Sequence, residues 1–263
     1  MKKKIGLALS SGGSRGFVQI GVIKALIENN IPVHYVAGTS MGSVIAGYYA
    51  LYNEISNLEK IVCALKKKDM LSFIDLNDPR KSLIKGEKMK SFLKPIFGDK
   101  TFSDTIIPLR IGATSLQTGE AVVFSSGKIL DAIMASSAFP GVFPAVRYKG
   151  HDLVDGAIAE VIPAKIVKDM GADAIIAVDL FYIKPNMKIK YTNIGSIMDR
   201  TIELLQSKLS DYNILEYGKN TIVLRPDTGK RLQTFAFYDG KKKIHKGYIE
   251  AKKNMQKIKR IVK

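Results

Sequence analysis

One hydroxyl stands between two glycines in Gly38-Thr39-Ser40-Met41-Gly42, where the run "HYVAG" breaks off and a helical pattern begins at once. A strand that feeds a helix within a few residues must turn sharply. Small flanks let the turn tighten until the central side chain stands clear of the sheet. A serine there also sits at the N-terminus of the next helix, whose dipole favours negative charge. The chemistry that fits is nucleophilic attack by Ser40.

Such a nucleophile needs donors for the oxyanion it creates. The apolar run "KIGLALS" ends in Ser11-Gly12-Gly13-Ser14-Arg15-Gly16, which also opens a helix. Turns at the ends of two consecutive strands are expected side by side at the carboxyl edge of a parallel sheet. Gly12 and Gly13 can take backbone angles that point successive N–H groups into one cavity. A donor of that kind is worth about 3–4 kcal/mol in acyl transfer. A dinucleotide site does not fit, because Ser11 stands where the first glycine of G-x-G-x-x-G belongs and no ribose-binding acid follows. A phosphate-binding G-K-[ST] is missing as well.

A serine also needs a base. The histidines are His34, His151 and His245. His34 lies on the elbow's own strand and points along the sheet, and His245 sits in a basic tail. His151, in "YKGHDLVDGAIAEVIP", is the one serious histidine, although a turn beside Gly150 is usually just exposed. The same stretch supplies Asp155, followed by Gly156 and Ala157 at the end of a short strand. An aspartate there either reaches Ser40 at the carboxyl edge or caps a turn. Residue chemistry alone leaves both readings open.

The elements that must position these groups alternate. "KIGLALS", "PVHYVAG", "PLRIGATS", "EAVVFSS", "HDLVDG", "DAIIAVDLF" and "TIVLRP" read as strands. Helices are expected over about 17–28, 42–51, "KILDAIMASSAF" against Pro140, "PAKIVKDM", about 194–210, and the C-terminal tail. This order predicts an α/β fold with a mostly parallel sheet covered by helices on both faces. The segment from about 59 to 100 breaks the rhythm and reads equally as a structural cap or a mobile cover. With no internal repeat or linker, residues 1–263 are expected to form one domain.

Four pieces, in this order, resemble the patatin-like phospholipases, particularly their short bacterial members. They are "SGGSRG", "GTSMG", "ASSAFPGVFPAV" (Ala135 to Val146) and "DGA" at Asp155, within about Lys4 to Asp179. The resemblance implies a three-layer α/β/α fold. It implies Ser40 as nucleophile and Asp155 as base of a Ser–Asp dyad, with His151 a bystander. It assigns Gly12, Gly13, Ser14, Arg15 and Gly16 to the oxyanion loop, Gly38 and Gly42 to the nucleophile elbow, and Gly156 and Ala157 to the DGA motif. The implied activity is a serine lipid acyl hydrolase of phospholipase A or lysophospholipase type. Ser11 departs from the pattern, since many members carry a third glycine there. Phe139 and Phe143 are expected in the core, with an acyl pocket as the alternative. Acyl transfer to another acceptor, thioester cleavage, and a non-catalytic lipid-binding protein of the same fold remain rivals.

Composition bounds the setting. The single cysteine, Cys63, excludes an internal disulfide and is expected buried and inert in "LEKIVCALKKK". Ser10, Ser11 and Arg15 interrupt any signal-peptide core, and no apolar run reaches membrane-span length, so a cytoplasmic protein, soluble or peripheral, is expected. Isolated histidines and the lack of an acidic calcium loop predict neither metal nor cofactor. The formal charge is +17, and residues 241–263 hold ten Lys or Arg against Glu250 alone. Ile244, Tyr248, Ala251, Met255, Ile258 and Val262 form one helical stripe there, which can dock while the lysines face an anionic membrane. Nucleic acid is a poorer partner, with no recognition motif present.

Overall fold

The computed structural model describes residues 3–69, 74–78, 80, 82–183, 193–216, 220–228 and 237–263. In chain order the elements are β1 (Ile5–Leu9), α1 (Val18–Glu28), β2 (Tyr35–Thr39), α2 (Met41–Tyr52), α3 (Ser56–Ala64) and α4 (Glu87–Phe97). There follow β3 (Leu109–Ser115), β4 (Ala121–Phe124), α5 (Ile129–Ser136), β5 (Val146–Tyr148), β6 (His151–Asp155) and α6 (Ala164–Asp169). The chain ends with β7 (Ala174–Val178), α7 (Ile194–Glu216), β8 (Thr221–Leu224) and α8 (Gly240–Ile261).

β1 and β7 are buried at every residue, as strands covered on both faces must be, which is why they read as unbroken apolar runs. β8, β7, β1, β2 and β3 pair in parallel in that order. β4 and β6 pair with β3 antiparallel, and β5 pairs with β6. The fold is thus α/β with a mixed, mostly parallel central sheet. For this strand order the right-handed crossover rule places α1 and α2 on one face and α7 on the other, in keeping with the contacts of α1 with α2 and of α6 with α7. α8 packs on α1, and α6 packs under β1 and beside α7.

One detail of register decides where the chemistry sits. Val36 N–H donates to Pro108 O and Leu116 N–H donates to Asp152 O, whereas Ser115 N–H donates to Glu120 O. Backbone groups of successive residues point to opposite strand edges. β2 and β6 therefore lie end to end along one edge of β3, and β4 takes the other. Thr39 pairs with Gly112 and Asp155 with the next residue, Ala113. The carboxyl end of β2 meets the carboxyl end of β6.

α8 approaches α1 so closely that a Cβ on Gly21 would lie 1.9 Å from Ile244 O, and one on Gly247 would lie 1.8 Å from Val18 O. Two backbones can cross at that distance only where both side chains are hydrogens. Ile244, Ala251, Met255 and Ile258 are buried against the core, so the expected stripe docks. Tyr248 and Val262 are half-buried at its margins.

Several expectations need correction. Cys63 is exposed, because α3 turns Leu58 and Val62 inward and leaves the thiol on its outer side. The helix after β4 stops at Ser136, well short of Pro140, and α7 continues past Ser210 to Glu216. β5 was not legible as a strand, since "VRY" is too short to show alternation. Phe139 and Phe143 are both only half-buried, so neither is a core residue. Within 59–100, α4 buries Leu93 and Phe97 and α3 packs against α8, as a structural cap would. Residues 70–73, 79 and 81 of that segment lie outside the described residues.

Candidate active site

Ser40 occupies the turn between β2 and α2 with φ 51° and ψ −124°, a conformation that costs a non-glycine residue about 1–3 kcal/mol. The surroundings enforce it. A Cβ on Gly38 would meet Gly42 O at 2.2 Å, and one on Gly42 would meet Leu9 O at 2.1 Å, so the tight elbow requires glycine at both flanks. Ser136 Oγ accepts the Ser40 N–H at 2.8 Å and donates to Gly112 O at 2.6 Å. Ser43 Oγ donates to Ser40 O at 2.6 Å. Ser40 is thus anchored at both its N–H and its carbonyl while its side chain remains partly accessible.

Asp155 ends β6 and is only 2% exposed. Its Oδ1 accepts the Ala157 N–H at 2.9 Å. Its own N–H donates to Ala138 O at 3.0 Å, and its carbonyl accepts from Thr114 Oγ1 at 2.9 Å. Burial pushes the carboxyl up to about 6, against the downward pull of the Ser40 hydroxyl and the Ala157 N–H. The Ser40 hydroxyl is thus the side chain that bears on the Asp155 carboxyl. The 115 positions that separate them in sequence are bridged by the end-to-end meeting of β2 and β6. A Cβ on Gly156 would meet Gly112 O at 2.3 Å, so the strand ends close on each other tightly.

The glycine-rich turn lies beside the elbow, as consecutive parallel strands dictate. Gly12 and Gly13 have φ 147° and 54°, and among the described residues neither N–H has an acceptor. Gly16 abuts Met41, whose own N–H is one of the first-turn donors that a helix leaves unused. Arg15 is buried, its Nη1 donating to Leu180 O at 3.1 Å and its guanidinium 5.1 Å from the Phe181 ring centroid. Ser14 Oγ accepts from Lys243 Nζ at 2.8 Å.

The histidines are elsewhere. His34 Nδ1 accepts the Ile5 N–H at the opposite edge of the sheet. His151 begins β6, roughly 13 Å from Asp155 at about 3.3 Å per residue, with its Nδ1 3.0 Å from Ser115 Oγ. A cleft of about 570 Å³ adjoins the site, lined in part by Met89, Phe124, Met134, Ala138, Phe143 and Tyr148. Neither Ser40 nor Asp155 lines it, but Ala138 belongs to its wall and also holds the Asp155 backbone. The roles of Ser136, Thr114 and Ala138 were not read from the sequence. Ser136 was visible only as one of several small residues, and a hydroxyl's partner across 96 positions leaves no local signal.

Comparison with known proteins identifies the family. The model of the patatin-like phospholipase family matches residues 7–168. An uncharacterized NTE family protein of Mycobacterium tuberculosis is 34% identical over 179 residues, which are 67% of this chain and 49% of that protein. Lysophospholipase nte1 of Emericella nidulans is 28% identical over 281 residues, 98% of this chain and 18% of that protein. The chain thus spans half or less of the length of these relatives. Among solved structures, VipD from Legionella pneumophila superimposes with a TM-score of 0.48 at 13% identity, over 93% of this chain and 67% of that one. With the family model covering more than half its length, this chain belongs to the patatin-like phospholipase family.

Proposed function

We propose that the protein is a serine lipid acyl hydrolase in which Ser40 and Asp155 form the catalytic dyad. The observation that carries this reading is a strained, anchored serine at the carboxyl end of β2 that meets a buried carboxylate at the carboxyl end of β6. Asp155 accepts the Ser40 proton as Oγ attacks an ester carbonyl. The N–H groups of Gly12, Gly13 and Met41 receive the oxyanion. Collapse of the tetrahedral intermediate expels the alcohol, which takes the proton back from Asp155. Water, deprotonated by Asp155, then cleaves the acyl-serine and releases a fatty acid. The neighbouring 570 Å³ cleft, within the range of small-molecule pockets, receives an acyl chain. The names of the lysophospholipase relatives support a lipid ester as substrate.

The test is a profile of acyl release from defined phospholipids, lysophospholipids and acyl-thioesters. Fatty acid from the oxygen esters is the expected result. Release only when a second alcohol acceptor is supplied would make the protein a transferase, and cleavage of thioesters alone would make it a thioesterase. No release from any of them would favour a non-catalytic lipid-binding role.

Gly13 tests the donor assignment. A valine at φ 54° is strained and displaces the N–H. Gly13→Val should lower kcat by roughly 10²–10³ with an unchanged circular dichroism spectrum. Wild-type kcat would move the oxyanion donors elsewhere.

The outer side of α8 is proposed to rest on an anionic membrane. Among the described residues no helix is long and apolar enough to cross a bilayer. Lys241, Lys242, Lys252, Lys253 and Lys257 are exposed, and Lys246 is half-buried. Each lysine near such a surface is worth about 1 kcal/mol. Binding to vesicles containing anionic lipid should be salt-sensitive and exceed binding to neutral ones. Changing the six lysines to Gln should weaken it at least about tenfold without unfolding. Equal sedimentation with neutral and anionic vesicles would leave α8 a scaffold helix.

A further inference from the structure

The tail holds one lysine that does not face solvent. Lys243 is 4% exposed, and its Nζ donates to Ser14 Oγ at 2.8 Å across 229 positions of sequence. Ser14 directly follows Gly13, so a buried cation from the last helix grips the turn that carries the oxyanion donors. The grip has a fixed geometry. The glycine crossing that brings Val18 O against Gly247 and Ile244 O against Gly21 locks α8 in both height and rotation on α1. Lys243 immediately precedes Ile244, and α1 continues directly from the glycine-rich turn.

We propose that Lys243 is a positioning residue for acyl transfer: it holds the glycine-rich loop in the conformation that presents the Gly12 and Gly13 N–H groups to the oxyanion at Ser40, and it places a positive charge beside that loop. This rests on the reading of the loop as the oxyanion hole. Lys243 and Arg15 are both buried beside Ser14. Among the described residues, the charged groups that act on Lys243 include Arg15 from the loop and Asp239 from the turn before α8. Burial lowers its ammonium to about 8, Asp239 pulls it upward, and Arg15 pushes it further down. The charge is therefore lost as pH rises through about 8.

Three measurements on Lys243→Met and Lys243→Arg test this. The methionine keeps the apolar stem and removes the charged donor. The buried apolar stem is kept, so its melting temperature should stay close to that of the wild type. Its kcat on a short-chain p-nitrophenyl ester should fall roughly 10²-fold, since small misplacements remote from the bond broken have that effect. KM should stay within about twofold, since the bound ground state does not depend on the donors. Hydrogen exchange of the Arg15 amide, which donates to Gly12 O within the loop, should quicken. The arginine variant should recover most of the rate and, unlike the wild type, should keep it above pH 8. Wild-type kcat together with unchanged loop exchange in the methionine variant would overturn the proposal. A fall in kcat matched by a fall in melting temperature, without rescue by arginine, would reduce Lys243 to scaffold. If the wild type hydrolyses no ester, the hydrolase reading fails and loop exchange alone decides: faster exchange keeps the gripping role, and unchanged exchange removes it.

Discussion

Asp155→Asn is expected to abolish turnover and to stabilise the protein at the same time. Asn keeps the shape and, through Oδ1, the acceptor for the Ala157 N–H. It cannot take a proton from Ser40. Members of a catalytic unit fail together, so the loss should be roughly 10⁴-fold or more, whereas His151→Ala should retain most of the rate because His151 sits at the far end of β6. In the wild type the base must be ionised, so kcat/KM should rise as pH climbs through about 6. The stability effect has the opposite sense. With a carboxyl raised from 3.8 to about 6, the folded state holds a proton that the unfolded state has released, so stability is lost as pH rises through that window. At pH 8 the wild type then carries a cost of up to about 3 kcal/mol, two units at about 1.4 kcal/mol each. The variant should melt higher than the wild type at pH 8 and equally at pH 4. A dead histidine variant beside an active aspartate variant would require a triad instead.

Ser40→Ala should remove ester hydrolysis to a similar extent while the fold persists. Alanine at φ 51° keeps the backbone strain, and the Ser136 and Ser43 anchors do not involve the Ser40 side chain. The double variant Ser40→Ala/Asp155→Asn should be no slower than either single variant, because a nucleophile and its base act as one unit. Additive losses would mean that the two residues serve separate steps.

Parts of this site were legible because their signals are local. The elbow needs glycine at 38 and 42 to let backbones touch, and the first loop needs residues that tolerate positive φ at 12 and 13. Both requirements leave marks within a few positions. Asp155 was different, since a turn aspartate and a catalytic one look alike along the chain, and only the resemblance singled it out. What brings it to Ser40 is the parity of hydrogen bonds along β3, a property of three strands together. Ser136 and Lys243 were hidden for a related reason. Their meaning lies in partners 96 and 229 positions away, and one buried lysine among ten basic tail residues is invisible until the helix has a fixed rotation. Cys63 was misread because α3 buries only a narrow stripe.

The central claim is that Ser40 alone is activated for acyl transfer. Incubating the native protein with a fluorophosphonate and mapping the adduct by peptide mass spectrometry tests it most directly. The account predicts one adduct per chain, on Ser40, formed faster as pH rises through about 6 and lost in Asp155→Asn. An adduct on another residue, or a folded protein that takes no label at Ser40, would contradict it.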